Sequence, residues 1–411
     1  MGISRVVYVV ESPLTSRDHN RFGVDVLTNA GFDVEIWEVQ DLFLPRDQGP
    51  AAVSMAGCQI RSFTSFGDLV ASCRALREDT VVILICAVYV SDLPRYLPLI
   101  RALMQGKSRL ATVTAVERPP IPLQPTATSG GLARAHQLLR RLRAKDLSIR
   151  SASSILMSRL RARIFEGLVR CHLGGFRELS WIWAGTNIDS VNPLFVGSLT
   201  RIRYIHTLDF DRILENQLEP TSVSPGIVYL DAMGPLHPDF AVLGMRVEIG
   251  PRAWFKLVNG VLDDLAAASG LEVTVAAHPR ADPGSLDAMY AGKRVVHGQT
   301  ASLIRAAKSV VITDPTTSIG MAAWYRRPIT VVKCGTLFET HQIELEQYAD
   351  LLNLEVLEPG SVPVNWSPAN VDLLAYTRFI QAYVKQPGTL TLPFWEVAAN
   401  DLLSSSASEP E

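Results

Sequence analysis

Two short segments in the second half of the chain carry the residue types that grip phosphate. Ala277-His278-Pro279-Arg280 closes the strand-like run from Leu271 to His278. Thr313-Asp314-Pro315-Thr316-Thr317-Ser318-Ile319-Gly320 follows the strand-like run from Ser309 to Thr313 and opens a helix. Each sets polar groups just past the carboxyl end of a strand, where open α/β sheets hold their ligands. A helix beginning at about Thr316 leaves backbone N–H groups unpaired, so phosphate oxygens can accept from them and from the hydroxyls of Thr316, Thr317 and Ser318 together. His278 can donate to the same oxygens, and Arg280, beyond Pro279, adds charge. Plain helix capping by Thr316 or Thr317, and packing of His278 by Pro279, would explain either segment alone. Two such strand ends in one half of the chain favour a ligand with a nucleotide monophosphate or diphosphate handle. Gln299 and Thr300, after the intervening strand, are placed to contact the base or ribose, or simply to form a turn.

Further polar residues fall at strand ends. The segment from Asp231 to Phe240 follows the first strand of the second half and holds a second His-Pro pair, His237-Pro238, then Asp239. It either lines the site or forms an ordered connection. In the first half, Glu11 follows the first strand, and Asp18 and His19 end the loop into the first helix. Any of the three is a candidate for the base that takes a hydroxyl proton, with Asp18 preferred; helix capping competes for it. The run from His206 to Asp211 contains Asp209-x-Asp211, a spacing that elsewhere holds a divalent ion. Its position near a linker is read instead as cleft or hinge, with His206 and Asp209 counted among the cleft residues and no metal. A Walker loop, HExxH, GxSxG and GxGxxG are all missing, against ATPase, zinc hydrolase, serine hydrolase and NAD enzymes.

The elements that must position these residues alternate. Strand patterns at Arg5 to Val10, Phe32 to Val39, Thr80 to Val88, Leu110 to Val116 and Arg177 to Ala184 alternate with helical patterns at Asn20 to Ala30 and Leu97 to Met104. A second alternation runs from Ile227 to Lys333, with a late helix over Val371 to Val384 that is expected to return toward the first half. This is the doubly wound pattern, twice. At 411 residues the chain exceeds one usual hydrophobic core. Domains are expected at 1–218 and 226–385, divided by the linker-like Glu219 to Gly226, followed by a segment 386–411 with a disordered tail. Between the halves of the first domain, residues 133–170 hold ten Arg or Lys against Asp146 and Glu166, with leucines and isoleucines at helical intervals. That insertion is either a solvated helical face or an interfacial helix drawn to anionic lipid. Apolar content of 47% and charge of 19% support a folded chain, and a net charge of −2 gives no global preference for nucleic acid. Five scattered cysteines without CxxC spacing read as reduced thiols of a cytoplasmic protein, and no apolar run reaches ~18 residues.

The His-Pro segment followed by a hydroxyl-rich helix start resembles glycosyltransferases of the two-Rossmann type, GT-B, and in particular bacterial sialyltransferases and related capsule and lipopolysaccharide transferases. The resemblance covers mainly Ile227 to Val332. It implies two Rossmann-like domains facing across a cleft, with His278, Thr317 and Ser318 on the phosphate of a CMP-activated sugar. The general-base motif of those families, two acids followed by glycine, is absent from the first half. The implied function is sugar transfer from a nucleotide sugar to a cell-envelope glycan such as lipopolysaccharide, O-antigen or capsule. No cofactor or metal is expected, and the acceptor is a glycan or a lipid-linked glycan, with the interfacial reading of the basic stretch implying peripheral contact to the inner membrane. The alternatives are a nucleotide-sugar epimerase of the same architecture and a non-catalytic scaffold of glycan assembly.

Overall fold

The structure, a computed structural model, describes residues 2–11, 16–43, 57–86, 88, 93–115, 177–216, 226–237, 240, 247, 249–290, 292–334 and 338–405. The basic insertion 133–170, Asp239, the linker through residue 225 and the tail from 406 lie outside the described residues.

The chain divides into two compact units. One holds the described residues of Met1–Thr114, Pro122–Tyr204 and Trp395–Glu411, the other those of Ala115–Ile121 and Ile205–Phe394. The chain therefore passes from one unit to the other after Tyr204, not at residue 218, and its last helix belongs with the first unit.

Unit 1 is a seven-stranded parallel sheet: β1 (Arg5–Val10), β2 (Asp33–Glu38), β3 (Gln59–Ser62), β4 (Thr80–Leu84), β5 (Arg109–Thr114), β6 (Trp181–Ala184) and β7 (Arg201–Tyr204), in the order β3-β2-β1-β4-β5-β6-β7. Its central strands are apolar throughout because helices cover both faces of such a sheet; Val6 to Val9 and Val81 to Leu84 are all buried. Helices α1 (Ser16–Arg21), α2 (Val24–Asn29), α3 (Gln40–Phe43), α4 (Phe66–Ala75) and α5 (Leu93–Met104) make the crossovers. The edge strands β3 and β7 escaped the periodicity reading for a physical reason: every residue of β7 and three of the four in β3 are exposed, so neither carries an apolar signature.

Unit 2 opens with α6 (Leu208–Asn216) and has a six-stranded parallel sheet of β8 (Ile227–Leu230), β9 (Val273–Ala276), β10 (Arg294–Val296), β11 (Ser309–Ile312), β12 (Ile329–Val332) and β13 (Glu355–Leu357), ordered β10-β9-β8-β11-β12-β13. Its other helices are α7 (Pro251–Ser269), α8 (Pro283–Met289), α9 (Thr300–Ala306), α10 (Ile319–Trp324), α11 (Glu339–Leu352) and α12 (Leu373–Tyr383). Alternation along β8 divides the core: Ile227 and Tyr229 join Trp254, Phe255 and Val258 of α7, whereas Val228 and Leu230 join Met321 of α10, Leu345 of α11 and Phe379 of α12. Each fully buried side chain of this size contributes about 1.5–3 kcal/mol. The late helix, α12, thus stays on unit 2, packed on α10 and α11, because its buried Tyr376 and Phe379 belong to that core. The segment that joins unit 1 is α13 (Phe394–Ser404). There Trp395 meets Tyr8 edge-on at 5.6 Å between ring centroids and donates its indole N–H to the Arg21 carbonyl at 2.7 Å.

Gly23 marks the tightness of that docking. Its φ of +59° is left-handed, and a Cβ there would overlap the Trp395 side chain. Gly31, at φ +93°, has nothing near the corresponding position. Gly23→Ala is expected to lower stability by about 2–4 kcal/mol, strain plus overpacking, and Gly31→Ala by about 1–2 kcal/mol, strain alone. Denaturant titration followed by tryptophan fluorescence checks the difference; equal losses would show that Trp395 does not set the packing.

Candidate functional site

Strand order in unit 2 reverses between β8 and β11, and ligands of open α/β sheets bind outside the carboxyl ends of strands at such a switch point. Three polar residues sit within two positions of those ends: Asp231 after β8, His278 after β9, and Asp314 after β11. Asp231 is 5% exposed. Its Oδ1 accepts from the Met233 amide at 3.0 Å and the Tyr290 hydroxyl at 2.8 Å, and its Oδ2 from the His278 amide at 3.3 Å. One carboxyl therefore ties the loop after β8 to the loop after β9. The first of these loops is strained: Met233 has φ +62°, and Gly234 follows at φ +48° where a Cβ would overlap the Trp254 indole. The turn delivers His237 to His278, with ring centroids 5.1 Å apart at 67°. The two His-Pro histidines, distant in sequence, are neighbours.

The His278 ring has an assigned role in its own loop. Its Nδ1 accepts from the Arg280 amide at 3.2 Å, so the neutral ring carries its proton on Nε2 and can donate it. Pro279 and Arg280 are exposed. Gln299 precedes α9 and accepts at its carbonyl from Leu303 N at 3.0 Å, and Thr300 is the first residue of that helix. Across the switch point, Thr316 Oγ1 accepts from Ser318 N at 3.3 Å, and the Thr316 and Thr317 carbonyls accept from Ile319 and Gly320. The helix here starts at Ile319, not at Thr316, and runs only six residues. A hydroxyl-stabilised turn takes the place of the expected helix start, so what that loop offers a phosphate rests on its hydroxyls more than on a helix dipole.

Asp314 is 4% exposed. Its Oδ1 lies 3.4 Å from Nδ1 of His341 in the first turn of α11, and its Oδ2 meets no hydrogen-bond partner among the described residues. Burial pushes both Asp231 and Asp314 above the usual carboxyl range, with Asp314 adding to the push on Asp231; the Tyr290 hydroxyl and two amides pull Asp231 back, and His341 and the Thr313 hydroxyl pull Asp314 back. Each binds its proton more tightly folded than unfolded, so ionising either as pH rises costs stability.

In unit 1 the candidate bases lie after β1. Glu11 accepts a hydrogen bond from the Tyr96 hydroxyl, whose own titration is pushed up first by burial and then by that contact. Asp18 is buried in α1, and the next residue, His19, has Nδ1 3.7 Å from Asp25 Oδ2. His206 and Asp209 belong to unit 2. His206 is fully buried, its Nδ1 3.0 Å from the Thr207 carbonyl and its Nε2 2.8 Å from the Leu392 carbonyl. Burial pulls its titration down, against those two carbonyls. A ring held in this way anchors the chain around Leu392. Asp211 is likewise occupied, accepting from Phe394 N at 2.9 Å. Asp209, in the first turn of α6, lines a cavity of about 20 Å³ with Thr317, Tyr348 and Tyr383, room for a water but not for a sugar.

Sequence reasoning missed Asp231 as an organiser, and Tyr290 and His341 altogether. Asp231 had a signal, a carboxylate directly after the apolar run Ile227 to Leu230. His341 had none, because it does not follow a strand-like run and meets Asp314 only through the fold.

No protein-family model matches the sequence, and neither does any curated protein. Among solved structures, the chain is similar to CalG4, the calicheamicin glycosyltransferase, with a TM-score of 0.52 and 11% identity over 100% of both chains. It is more loosely similar to Arabidopsis thaliana UGT89C1 complexed with UDP-L-rhamnose (TM-score 0.48, 10% identity, 97% and 99% of the two chains) and to the spinosyn forosaminyltransferase SpnP (0.41, 11%, 99% and 95%). The likeness to CalG4 shows the fold: two α/β units on parallel Rossmann-type sheets, the GT-B arrangement of elements.

Asp231→Asn tests the tie between loops. The amide oxygen can still accept from Met233 and Tyr290, but its NH2 then faces the His278 N–H. Hydrogen exchange at the His278 amide should quicken about tenfold or more while Met233 changes little, as expected for loss of one buried acceptor. Equal quickening at both amides would show a general loosening instead.

Proposed function

We propose that the chain is a glycosyltransferase that takes a nucleotide-sugar donor at the carboxyl edge of the unit 2 sheet and hands the sugar to a glycan acceptor through unit 1. The observation that supports this reading is the meeting of Asp231, His237 and His278 at a switch point whose neighbouring strand, β11, leads into Thr316, Thr317 and Ser318, on a fold shared with a glycosyltransferase. In this reading His278 Nε2–H and the loop hydroxyls donate to the phosphate oxygens, Arg280 adds charge, and Gln299 and Thr300 meet the ribose or base. Asp18 takes the proton of the acceptor hydroxyl, with Glu11 after β1 and His19 in α1 as the other candidate bases. The hydroxyl oxygen attacks the anomeric carbon as its bond to the leaving phosphate breaks. The developing negative charge is met by donors already in place, which act most strongly in the transition state. No metal or cofactor enters.

The finer assignments extend the same reading. The donor is a CMP-activated sugar, and the acceptor is an envelope glycan such as lipopolysaccharide, O-antigen or capsule. The protein acts in the cytoplasm, with the basic stretch 133–170 holding it to anionic lipid near a lipid-linked acceptor. Among the described residues no helix is long and apolar enough to cross a membrane.

Calorimetry of the full chain with CMP, CDP, UDP and GDP tests the donor site. One nucleotide should bind, His278→Ala should weaken it about 10- to 100-fold, the scale of a charge-assisted hydrogen bond, and Asp18→Ala should lower turnover while leaving the nucleotide dissociation constant within about twofold. Binding by none of the four, or the reverse pattern in the two variants, would overturn the reading. Deleting residues 137–163 should abolish binding to vesicles containing anionic lipid; unchanged binding would remove the membrane role.

A further inference from the structure

The geometry points to a second recognition element at this edge: we infer that Asp314 and His341 form a dyad that accepts a hydrogen bond from a hydroxyl of the sugar carried by the nucleotide. The inference rests on the donor-site reading above and adds to it the group that senses the sugar.

Asp314 follows β11 after a single residue, Thr313, and stands two residues before Thr316, so a ligand at the hydroxyl-rich loop lies beside the dyad. An ionised carboxylate only accepts hydrogen bonds. With Asp314 ionised, Nδ1 of the neutral His341 ring, 3.4 Å from Asp314 Oδ1, carries the proton, and Nε2 keeps its lone pair. His278 is the mirror case, with Nδ1 accepting and Nε2–H donating. One edge of one sheet thus presents an imidazole donor and an imidazole acceptor. An ionised phosphate oxygen has no proton to give and suits only the first. A hydroxyl has one, and suits the second.

The surroundings fit a sugar ring. A row of rings leads from His278 through His237 and Phe240 to Phe338 and His341, with successive centroids 5.1, 5.5, 5.0 and 5.2 Å apart. Apolar rings beside a hydroxyl acceptor match the apolar C–H faces and polar rim of a pyranose. Asp314 Oδ2 and Gln342 Oε1 are buried acceptors without a hydrogen-bond partner among the described residues. A hydroxyl-rich ligand supplies donors. His341 itself is 21% exposed at its side chain, open enough to be reached.

The test compares nucleotides with and without sugar: calorimetry of the full chain with UDP, GDP and CMP, and with UDP-glucose, GDP-mannose and CMP-sialic acid. His341→Phe keeps a ring against Phe240 and Phe338 and removes both nitrogens. It should leave the free nucleotide within about twofold and weaken the sugar-bearing form about 5- to 20-fold, the scale of one lost hydrogen bond. Asp314→Asn should have the same selective effect, with the 15N spectrum of His341 moving from the Nδ1–H to the Nε2–H tautomer. Equal weakening of both ligand forms, or an Nε2–H tautomer in the unmodified protein, would overturn the dyad while leaving the donor site standing. If no probe binds the unmodified protein, both fall.

Discussion

A carboxyl buried at the end of a parallel strand must be met by donors, and at Asp231 those donors come from three places: its own loop, the loop after β9, and Tyr290 just beyond α8. The candidate site depends on this one knot. Without it the strained Met233-Gly234 turn has no reason to hold its left-handed backbone, and His237 has no reason to lie against His278. The parallel sheet sets the strand ends side by side; Asp231 turns that adjacency into a fixed geometry.

Asp231 and Asp314 are both pushed above the usual carboxyl range by burial, so keeping them ionised at neutral pH works against folding. An apolar pair at these positions would serve a purely structural sheet better, as it does at the buried strand interiors of Val228, Val310 and Ile312. Costly polar groups gathered at one edge, beside a backbone outlier, are the pattern expected where local stability has been given up for ligand recognition.

Much of this was legible from residue order alone. Apolar runs such as Val6 to Val9 and Val81 to Leu84 announce strands covered on both faces, and Rossmann-type alternation follows from them. The loops at His278 and Thr316 to Ser318 were visible because polar residues follow such runs at once. Other features were hidden by physics that sequence does not display. β7 is exposed on both faces and has no period. The turn at Thr316 replaced a helix start because a side-chain oxygen competes for the same amide. His206 drew notice as a polar residue near two acids, yet its two ring nitrogens are taken up by carbonyls, one of them 186 residues away. His341 joins the site through a tertiary contact alone.

The central claim is that phosphate is gripped at the unit 2 switch point. A crystal structure of the full chain with the nucleotide that binds it tests this most directly. The account expects phosphate oxygens within hydrogen-bond distance of His278 Nε2 and of the Thr317 and Ser318 hydroxyls, with the Asp231 contacts unchanged. A nucleotide seated elsewhere, with His278 and the Thr316 to Ser318 loop untouched, would contradict it.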